Sequence, residues 1–158
     1  MKRVAIAVLF VLVGCAQQPA TVLIVRHAEK GPGSDPDLVA AGVARANALA
    51  AVARNAGVEA AFVTQYKRTK ETAALLHVPM TVVPINLNAP GDYPQRLAAA
   101  IGSHKVVLVV SHSNVIPALV EQLAHVKVPP LADAEYDRLY IVSGSRVVAA
   151  QYGCNVAK

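Results

Sequence analysis

The sequence predicts an α/β domain, a three-layer sandwich in which a mostly parallel sheet carries helices on both faces and has an antiparallel edge. Short apolar runs rich in β-branched residues recur along the chain, and such runs are typical of buried strands. Segments with helical spacing of apolar residues separate most of them, which favours parallel strands joined by right-handed crossovers. The last two runs flank Gly144 and predict a hairpin that forms the antiparallel edge.

Each element follows from its local sequence, and the chain shows neither an internal repeat nor a second domain. The predicted strands cover residues 21–25, 60–64, 80–85, 105–110, 139–143 and 147–152. The predicted helices cover residues 38–55, 67–76, 94–101 and 115–125.

Two helix starts carry residues that commonly cap a helix. Asp35 or Asp37, in the loop GPGSDPD, is expected to bond the free N–H groups of the first helix. Ser113 or Asn114 is expected to do the same for the helix that begins at residue 115.

The first helix is rich in alanine, so its buried face is assigned from the spacing of apolar residues. The inner face is expected to carry five residues that recur at helical spacing, whereas Arg45 and Arg54 are expected to point elsewhere. The five are Val39, Val43, Ala46, Ala50 and Ala53. Gly57 lies where this helix is expected to end.

The first fifteen residues have the composition of a signal peptide. Lys2 and Arg3 precede an apolar run that is too short to span a bilayer, and Gly14 and Cys15 follow it. The sequence LVGC, ending at Cys15, resembles a bacterial lipoprotein signal, in which the cysteine becomes the lipid-bearing first residue. The alternative is an ordinary secretory signal that is cut slightly later, near Ala16 or Ala20.

The predicted organisation is therefore a signal peptide over residues 1–14, a lipidated N-terminus and spacer over residues 15–20, and one domain over residues 21–158. A lipid anchor implies the cell envelope, with the domain on the periplasmic side and the anchor in the outer membrane. If Cys15 carries lipid, Cys154 has no partner, which excludes a disulfide-stapled scaffold. A net charge of +5 without a Lys/Arg tract, and an aromatic content of 4%, give no support for nucleic-acid binding.

Charged and polar side chains follow three of the predicted strands at the point where each strand ends. Arg26 and His27 follow the first strand, Arg68 the second and His112 the fourth. The carboxyl ends of parallel strands meet at one edge of a sheet, so we expect these four side chains to lie together. The sequence therefore predicts one site built from two arginines and two histidines.

This combination suits a phosphoryl group. Negative charge spreads over the three equatorial oxygens of a phosphoryl group in transfer, and fixed cations stabilise it. His27 can attack phosphorus through one ring nitrogen if the other is held as N–H by an acceptor. Neighbouring positive charge disfavours the imidazolium and keeps that histidine nucleophilic.

Four segments resemble the motifs of the histidine phosphatase superfamily, the phosphoglycerate-mutase-like group. They are VRHAEK at 25–30, DLVAAGVARANALA at 37–50, YKRTKETA at 66–73 and SHSNVIPALVEQL at 111–123. The resemblance implies a phosphohistidine intermediate on His27, phosphate contacts from Arg26, Arg68 and His112, and neither metal nor cofactor. It also implies a phosphorylated substrate, which can be a small molecule, a sugar phosphate or a phosphoprotein.

The proton donor for the leaving group is the uncertain part of this resemblance. Many family members place a carboxylic acid behind the second histidine, where this chain has Ser113, or after the third strand, where Asp92 is the candidate. Glu29 is expected to orient its neighbours, and Asp137 to play a structural role at a strand start. Without a strong acid, substrates with good leaving groups are expected to react best.

Two other classes of protein compete with this interpretation. A metallohydrolase is disfavoured because the five histidines contain no pair at ligand spacing, and His77, His104 and His125 are expected at the surface or at helix caps. The alternative function is a non-catalytic envelope lipoprotein that binds phosphate groups in the same pocket. An intact nucleophile at His27 argues against mere binding.

Overall fold

A computed structural model describes residues 20–153, so the predictions for the signal peptide, for Cys15 and for Cys154 lie outside the described residues. The strands are β1 Thr21–Arg26, β2 Ala60–Val63, β3 Met80–Val82, β4 Val106–Ser111, β5 Arg138–Ser143 and β6 Arg146–Gln151. The helices are α1 Ala40–Asn55, α2 Lys67–Ala74, α3 Tyr93–Ile101 and α4 Ile116–Ala124. None of these helices is both long and apolar enough to cross a membrane.

The strands form one six-stranded sheet in the order β3-β2-β4-β1-β5-β6. The first four of these are parallel to one another, β5 is antiparallel to β1, and β6 is antiparallel to β5. The predicted fold class is therefore confirmed. In the central pair of strands, Arg26 of β1 lies opposite Ser111 of β4, so both strands end at the same level.

Both faces of the sheet are covered because side chains alternate along each buried strand. Val22 and Ile24 of β1 belong to a core that includes α3 and α4, together with Tyr93, Leu97, Ile116 and Leu119. Leu23 and Val25 point the other way, into a core that α1 and α2 cover through Leu49, Ala53, Ala73 and Leu76. The two helix layers therefore hold the ends of β1 and β4 in place.

The helix caps differ from those predicted. The N-cap residues are Val39 and Val115, and neither gives a side-chain hydrogen bond to its helix. Asp35 instead accepts a hydrogen bond from the backbone N–H of Lys67, at 2.9 Å, because its loop folds back onto the start of α2. The predictions that Asp35 or Asp37 caps α1, and that Ser113 or Asn114 caps α4, are therefore wrong.

The predicted inner face of α1 is confirmed at Ala46, Ala50 and Ala53, which are buried, and is wrong at its first turn and at Arg45. Val39 is 41% exposed and Val43 47% exposed, whereas Arg45 is 3% exposed. Gly42 approaches the backbone of Glu29 so closely that a Cβ on it would overlap the Glu29 carbonyl oxygen. This contact turns the Gly42 and Arg45 side of α1 inward, and Arg45 then forms a salt bridge of 2.7 Å with Glu29.

The three histidines that were not assigned to the site occupy the predicted kinds of position. His125 is the left-handed C-cap of α4, and its N–H donates to the Glu121 carbonyl. His77 follows α2 with a positive φ of 58°, and His104 is exposed and lies 3.4 Å from a carboxylate oxygen of Glu59.

Candidate functional site

The four predicted site residues lie together at the carboxyl edge of the sheet. Arg26 is the last residue of β1, His27 follows it, His112 follows β4, and Arg68 lies in the first turn of α2. The rings of His27 and His112 meet edge to face with their centroids 5.3 Å apart. All four side chains are buried.

Backbone contacts fix the orientation of His27. Its Nδ1 lies 2.9 Å from the carbonyl oxygen of Ala28, which can only accept, so Nδ1 carries the hydrogen. The Nε2 lone pair is then free. The N–H of Ala28 donates to the hydroxyl of Thr72 at 2.9 Å, and this bond ties the segment that follows His27 to α2.

Both histidines are neutral in the folded protein. Burial lowers the pKa of His27 to about 4, and the charges of Arg26, Arg68 and Lys30 act in the same direction against the raising effect of the Ala28 carbonyl. Burial also lowers the pKa of His112 to about 3, with His27 and the two arginines adding to the effect. The nucleophile is therefore unprotonated at neutral pH.

The two arginines are held by other groups but keep one donor free. Nη1 of Arg26 donates to the carbonyl oxygen of Asp133 at 2.7 Å, and Nη1 of Arg68 to that of Ser34 at 3.4 Å. The Nε–H groups of both arginines are buried and find no acceptor among the described residues. Buried donors without acceptors are costly, so this pair of arginines is prepared for an anion.

Two tyrosines extend the site, and sequence reasoning missed both. The ring of Tyr136 lies 4.1 Å from the guanidinium carbon of Arg26, and the ring of Tyr66 lies 4.2 Å from that of Arg68. Tyr136 is also 6.1 Å from the His27 ring, and Tyr66 is 5.3 Å from the His112 ring. Tyr66 could have been found from its place directly after a strand, whereas Tyr136 lies in a loop distant in sequence from the motifs.

Buried threonines form a second missed group. Thr64, Thr69 and Thr72 are almost inaccessible to solvent. The hydroxyl of Thr64 lies 3.0 Å from Nε2 of His112, and that of Thr72 bonds the backbone beside His27. The site therefore rests on hydroxyl groups that hold its histidines in place.

The candidate carboxylates do not join the cluster. Asp92 is the N-cap residue of α3, is exposed, and forms an ion pair of 3.0 Å with Arg96. Glu29 is occupied by Arg45 through bonds of 2.7 to 2.9 Å. The backbone carbonyl of Asp137 accepts a bond from the N–H of Tyr152. Within residues 20–153, none of these three carboxylates shares a hydrogen bond or ion pair with the four site residues.

No group of three His, Cys, Asp or Glu residues within residues 20–153 could hold a metal ion.

The neutral histidines predict a pH-dependent stability. An exposed histidine takes up a proton near pH 6.5, whereas folded His27 does so only at about pH 4 and His112 at about pH 3. The unfolded chain binds more protons in that window, so the free energy of unfolding should fall as the pH decreases below about 6.5. Urea denaturation at pH 7.5, 6.0 and 5.0 measures it.

The control for this prediction is His104→Gln. His104 is exposed, so its replacement should leave the pH dependence unchanged, whereas His112→Gln should make it shallower. A stability that rises on acidification from pH 7.5 to 5.0 would contradict the assignment of neutral buried histidines.

Solved structures of phosphatases share this fold. A protein histidine phosphatase SixA complexed with tungstate is 20% identical, with a TM-score of 0.68 over 87% of this chain and 99% of that chain. The SixA protein from Nakamurella multipartitia is 22% identical, with a TM-score of 0.61 over 81% of this chain and 86% of that chain. A mycobacterial glucosyl-3-phosphoglycerate phosphatase is 14% identical, with a TM-score of 0.63 over 84% and 98% of the two chains. No curated protein sequence matches significantly.

Solved phosphatases have this fold, and in this chain its carboxyl edge carries two buried arginines beside two neutral histidines. Residues 22–88 match the family model of the histidine phosphatase superfamily (branch 1), which includes the segments around Arg26, His27 and Arg68. This match covers less than half of the chain and agrees with the resemblance of its sequence motifs to that superfamily.

Proposed function

We propose that the protein is a metal-independent phosphomonoester hydrolase that works through a phosphohistidine on His27. The observation that carries this proposal is the pairing of a free Nε2 on a neutral, fixed His27 with two buried arginine Nε–H groups that lack acceptors. A phosphoryl group bound by the two guanidinium groups, whose charges act on His27, would lie against the nucleophile.

The reaction proceeds in two displacements. Nε2 of His27 forms a bond to phosphorus while the bond from phosphorus to the leaving group breaks, and the leaving group takes a proton from solvent water. The guanidinium groups of Arg26 and Arg68 stabilise the charge on the phosphoryl oxygens. Water then attacks the phosphohistidine, so that the P–N bond breaks and inorganic phosphate leaves.

Asp35 is a carboxylate beside the site, but it is paired with Arg68 at 3.5 Å, and this arrangement narrows the substrate class. Asp92 is tied to Arg96 and exposed, so the leaving group receives little help from a protein acid. Aryl phosphates and the phosphorus–nitrogen bond of phosphohistidine have good leaving groups and should react fastest. The likeness to SixA, a protein histidine phosphatase, supports a phosphohistidine substrate among these.

Trapping the intermediate tests the covalent step. The full chain, purified in detergent, is mixed with a radiolabelled aryl phosphate and quenched in alkali, because a phosphohistidine survives alkali and is lost in acid. We expect a label that is alkali-stable and acid-labile in the wild type and absent from His27→Asn. An acid-stable label on another residue would overturn the assignment of the nucleophile.

We place the domain in the cell envelope, anchored through Cys15. The support is the charged start, the short apolar run and the LVGC sequence of the first fifteen residues. Labelling of expressing cells with a fatty-acid analogue should give a lipidated wild type and an unlabelled Cys15→Ser variant. Equal labelling of the two chains, or none of either, would contradict the lipoprotein assignment.

Asp35 provides a test of the phosphate site through an expected gain. Its carboxylate lies 3.5 Å from Nη1 of Arg68, so it competes with an incoming phosphoryl group for that cation. Asp35→Asn should lower KM by a factor of roughly 3 and leave kcat within about twofold, since a partly exposed ion pair is weak. Asparagine can still accept the N–H of Lys67.

Asp37→Asn is the matched control. Asp37 lies in the same loop, is 70% exposed, and pairs with Lys67 rather than with Arg68. Steady-state kinetics on an aryl phosphate should show an unchanged KM for this variant. A similar fall in KM for both variants would mean that overall loop charge acts, rather than competition at Arg68.

A further inference from the structure

Two buried hydroxyl groups form a chain that ends on the second histidine of the site. The hydroxyl of Thr64 lies 3.0 Å from Nε2 of His112 and 3.0 Å from the hydroxyl of Thr69. The hydroxyl of Thr69 lies 2.9 Å from the carbonyl oxygen of Tyr66 and 3.1 Å from that of Thr64. Both threonines have no accessible surface. We call Thr64 and Thr69 the threonine relay.

The donor and the acceptor of each hydrogen bond in the relay follow from the carbonyl groups that Thr69 contacts. A carbonyl oxygen can only accept, so the single hydroxyl hydrogen of Thr69 is directed to the carbonyls of Tyr66 and Thr64. The Thr69 oxygen then accepts the hydroxyl hydrogen of Thr64. With its own hydrogen used, the Thr64 oxygen accepts from His112, which requires a hydrogen on Nε2.

We propose that Thr64 and Thr69 are positioning residues that fix His112 as the Nε2–H tautomer, so that its Nδ1 accepts a hydrogen bond from a singly protonated phosphoryl group. The proposal rests on the proposed phosphatase function. The relay places a hydrogen in every one of these contacts. In the opposite tautomer Thr64 donates to Nε2, so its 3.0 Å contact with Thr69 either has no hydrogen or takes the Thr69 hydrogen from the carbonyl acceptors.

The consequence is a preference for the monoanion of the substrate. A neutral His112 in this tautomer has no N–H for a phosphoryl oxygen, so a phosphoryl group without a proton meets a lone pair on Nδ1. A monoanionic group instead donates its P–O–H hydrogen to Nδ1. The hydrogen stays on the phosphoryl oxygen in this hydrogen bond, because the lowered pKa of His112 disfavours its transfer to Nδ1, and no bond to phosphorus changes until His27 attacks.

The groups around His112 favour its neutral form before substrate binds. His27 lies on the β1 side, Tyr66 precedes α2, and the cations Arg68 and Arg26 lie on α2 and β1. Burial and these positive charges lower the pKa of His112, which agrees with a bare Nδ1 at neutral pH. Thr64 and Thr69 add no charge, so their effect is on the position of the hydrogen alone.

The tautomer can be measured without activity. Long-range 1H–15N spectra of the histidine rings in the full chain distinguish a bare ring nitrogen from a protonated one, and His112→Gln assigns the signals. We expect Nε2–H in the wild type and in Thr69→Ser, and Nδ1–H in Thr64→Val and Thr69→Val. In Thr69→Val the Thr64 hydroxyl loses its acceptor and is free to donate to Nε2.

Binding of phenylphosphonate, which cannot be hydrolysed, gives the functional readout. Its dianion carries no P–O–H, so wild-type affinity should fall roughly tenfold for each pH unit above its second pKa. Thr69→Val can donate from Nδ1–H and should bind the dianion roughly tenfold more tightly than the wild type does. Thr69→Ser should behave as the wild type does.

The outcomes separate the two proposals. A wild-type His112 with Nδ1–H, or valine variants that keep Nε2–H, would overturn the threonine relay whatever the activity. If the valine variants do not fold, the wild-type and serine spectra still decide the tautomer. The expected tautomers together with no phenylphosphonate binding would leave the relay standing and count against the proposed phosphatase function.

Discussion

His27→Ala should abolish hydrolysis of an activated aryl phosphate, with a loss in kcat/KM of roughly 10⁴-fold or more. The substitution removes the atom proposed to attack phosphorus, the free Nε2 of a histidine fixed through Nδ1. Arg26 and Arg68 remain, so phosphate binding should persist. Release of para-nitrophenol by the full chain in the presence of a chelator measures the loss.

His104→Ala is the matched control, because this histidine is exposed at the opposite end of β4 and pairs with Glu59. It should retain wild-type turnover. Substantial chelator-resistant turnover by His27→Ala would refute the nucleophile assignment. A wild type that is inactive but is stabilised by phosphate would favour a non-catalytic phosphate-binding lipoprotein.

The part of the site that could be predicted depends on the ends of parallel strands. Arg26, His27 and His112 follow apolar runs directly, and parallel pairing of β1 with β4 brings the two runs to the same edge. Arg68 follows β2 by one turn of helix. Each of these positions follows from the local sequence, so the sequence alone predicts that the residues lie together.

The remaining part depends on contacts between segments that are distant in sequence. Tyr136 packs on Arg26 from a loop more than a hundred residues away, as the separation of 110 between these positions shows. In the sequence, Thr64 and Thr69 are not distinguished from other polar residues. Only the packing of α2 shows that their hydroxyls form a chain to His112. No spacing rule detects such a chain of bonds.

The first turn of α1 and Arg45 differ from their predicted orientation for another physical reason, whereas Ala46, Ala50 and Ala53 are buried as predicted. A helix made largely of alanine has no strong apolar stripe, so spacing alone indicated Val39 and Val43 as its inner side. The close approach of Gly42 to Glu29 and the salt bridge from Arg45 to Glu29 decide the orientation instead. Both contacts hold the loop that follows His27, so the same helix supports the core and the site.

Gly42→Ala should therefore destabilise the protein although alanine is the better helix former. The gain in helix propensity is about 1 kcal/mol. A Cβ at this position would overlap the carbonyl oxygen of Glu29. It would also lie 3.0 Å from the carbonyl carbon and 3.1 Å from the backbone nitrogen of Glu29. Overpacking against backbone costs about 3 kcal/mol or more, so the clash prevails and unfolding should become easier by roughly 2 kcal/mol.

The same substitution should also lower activity, because Glu29 is joined directly to Ala28, whose carbonyl orients His27. Urea denaturation and para-nitrophenyl phosphate hydrolysis of the folded fraction measure the two effects separately. Val43→Ala, one residue away and 47% exposed, should change stability by less than about 0.5 kcal/mol. A Gly42→Ala protein as stable as the wild type would mean that α1 can shift away from Glu29, and that this contact does not fix the loop behind the nucleophile.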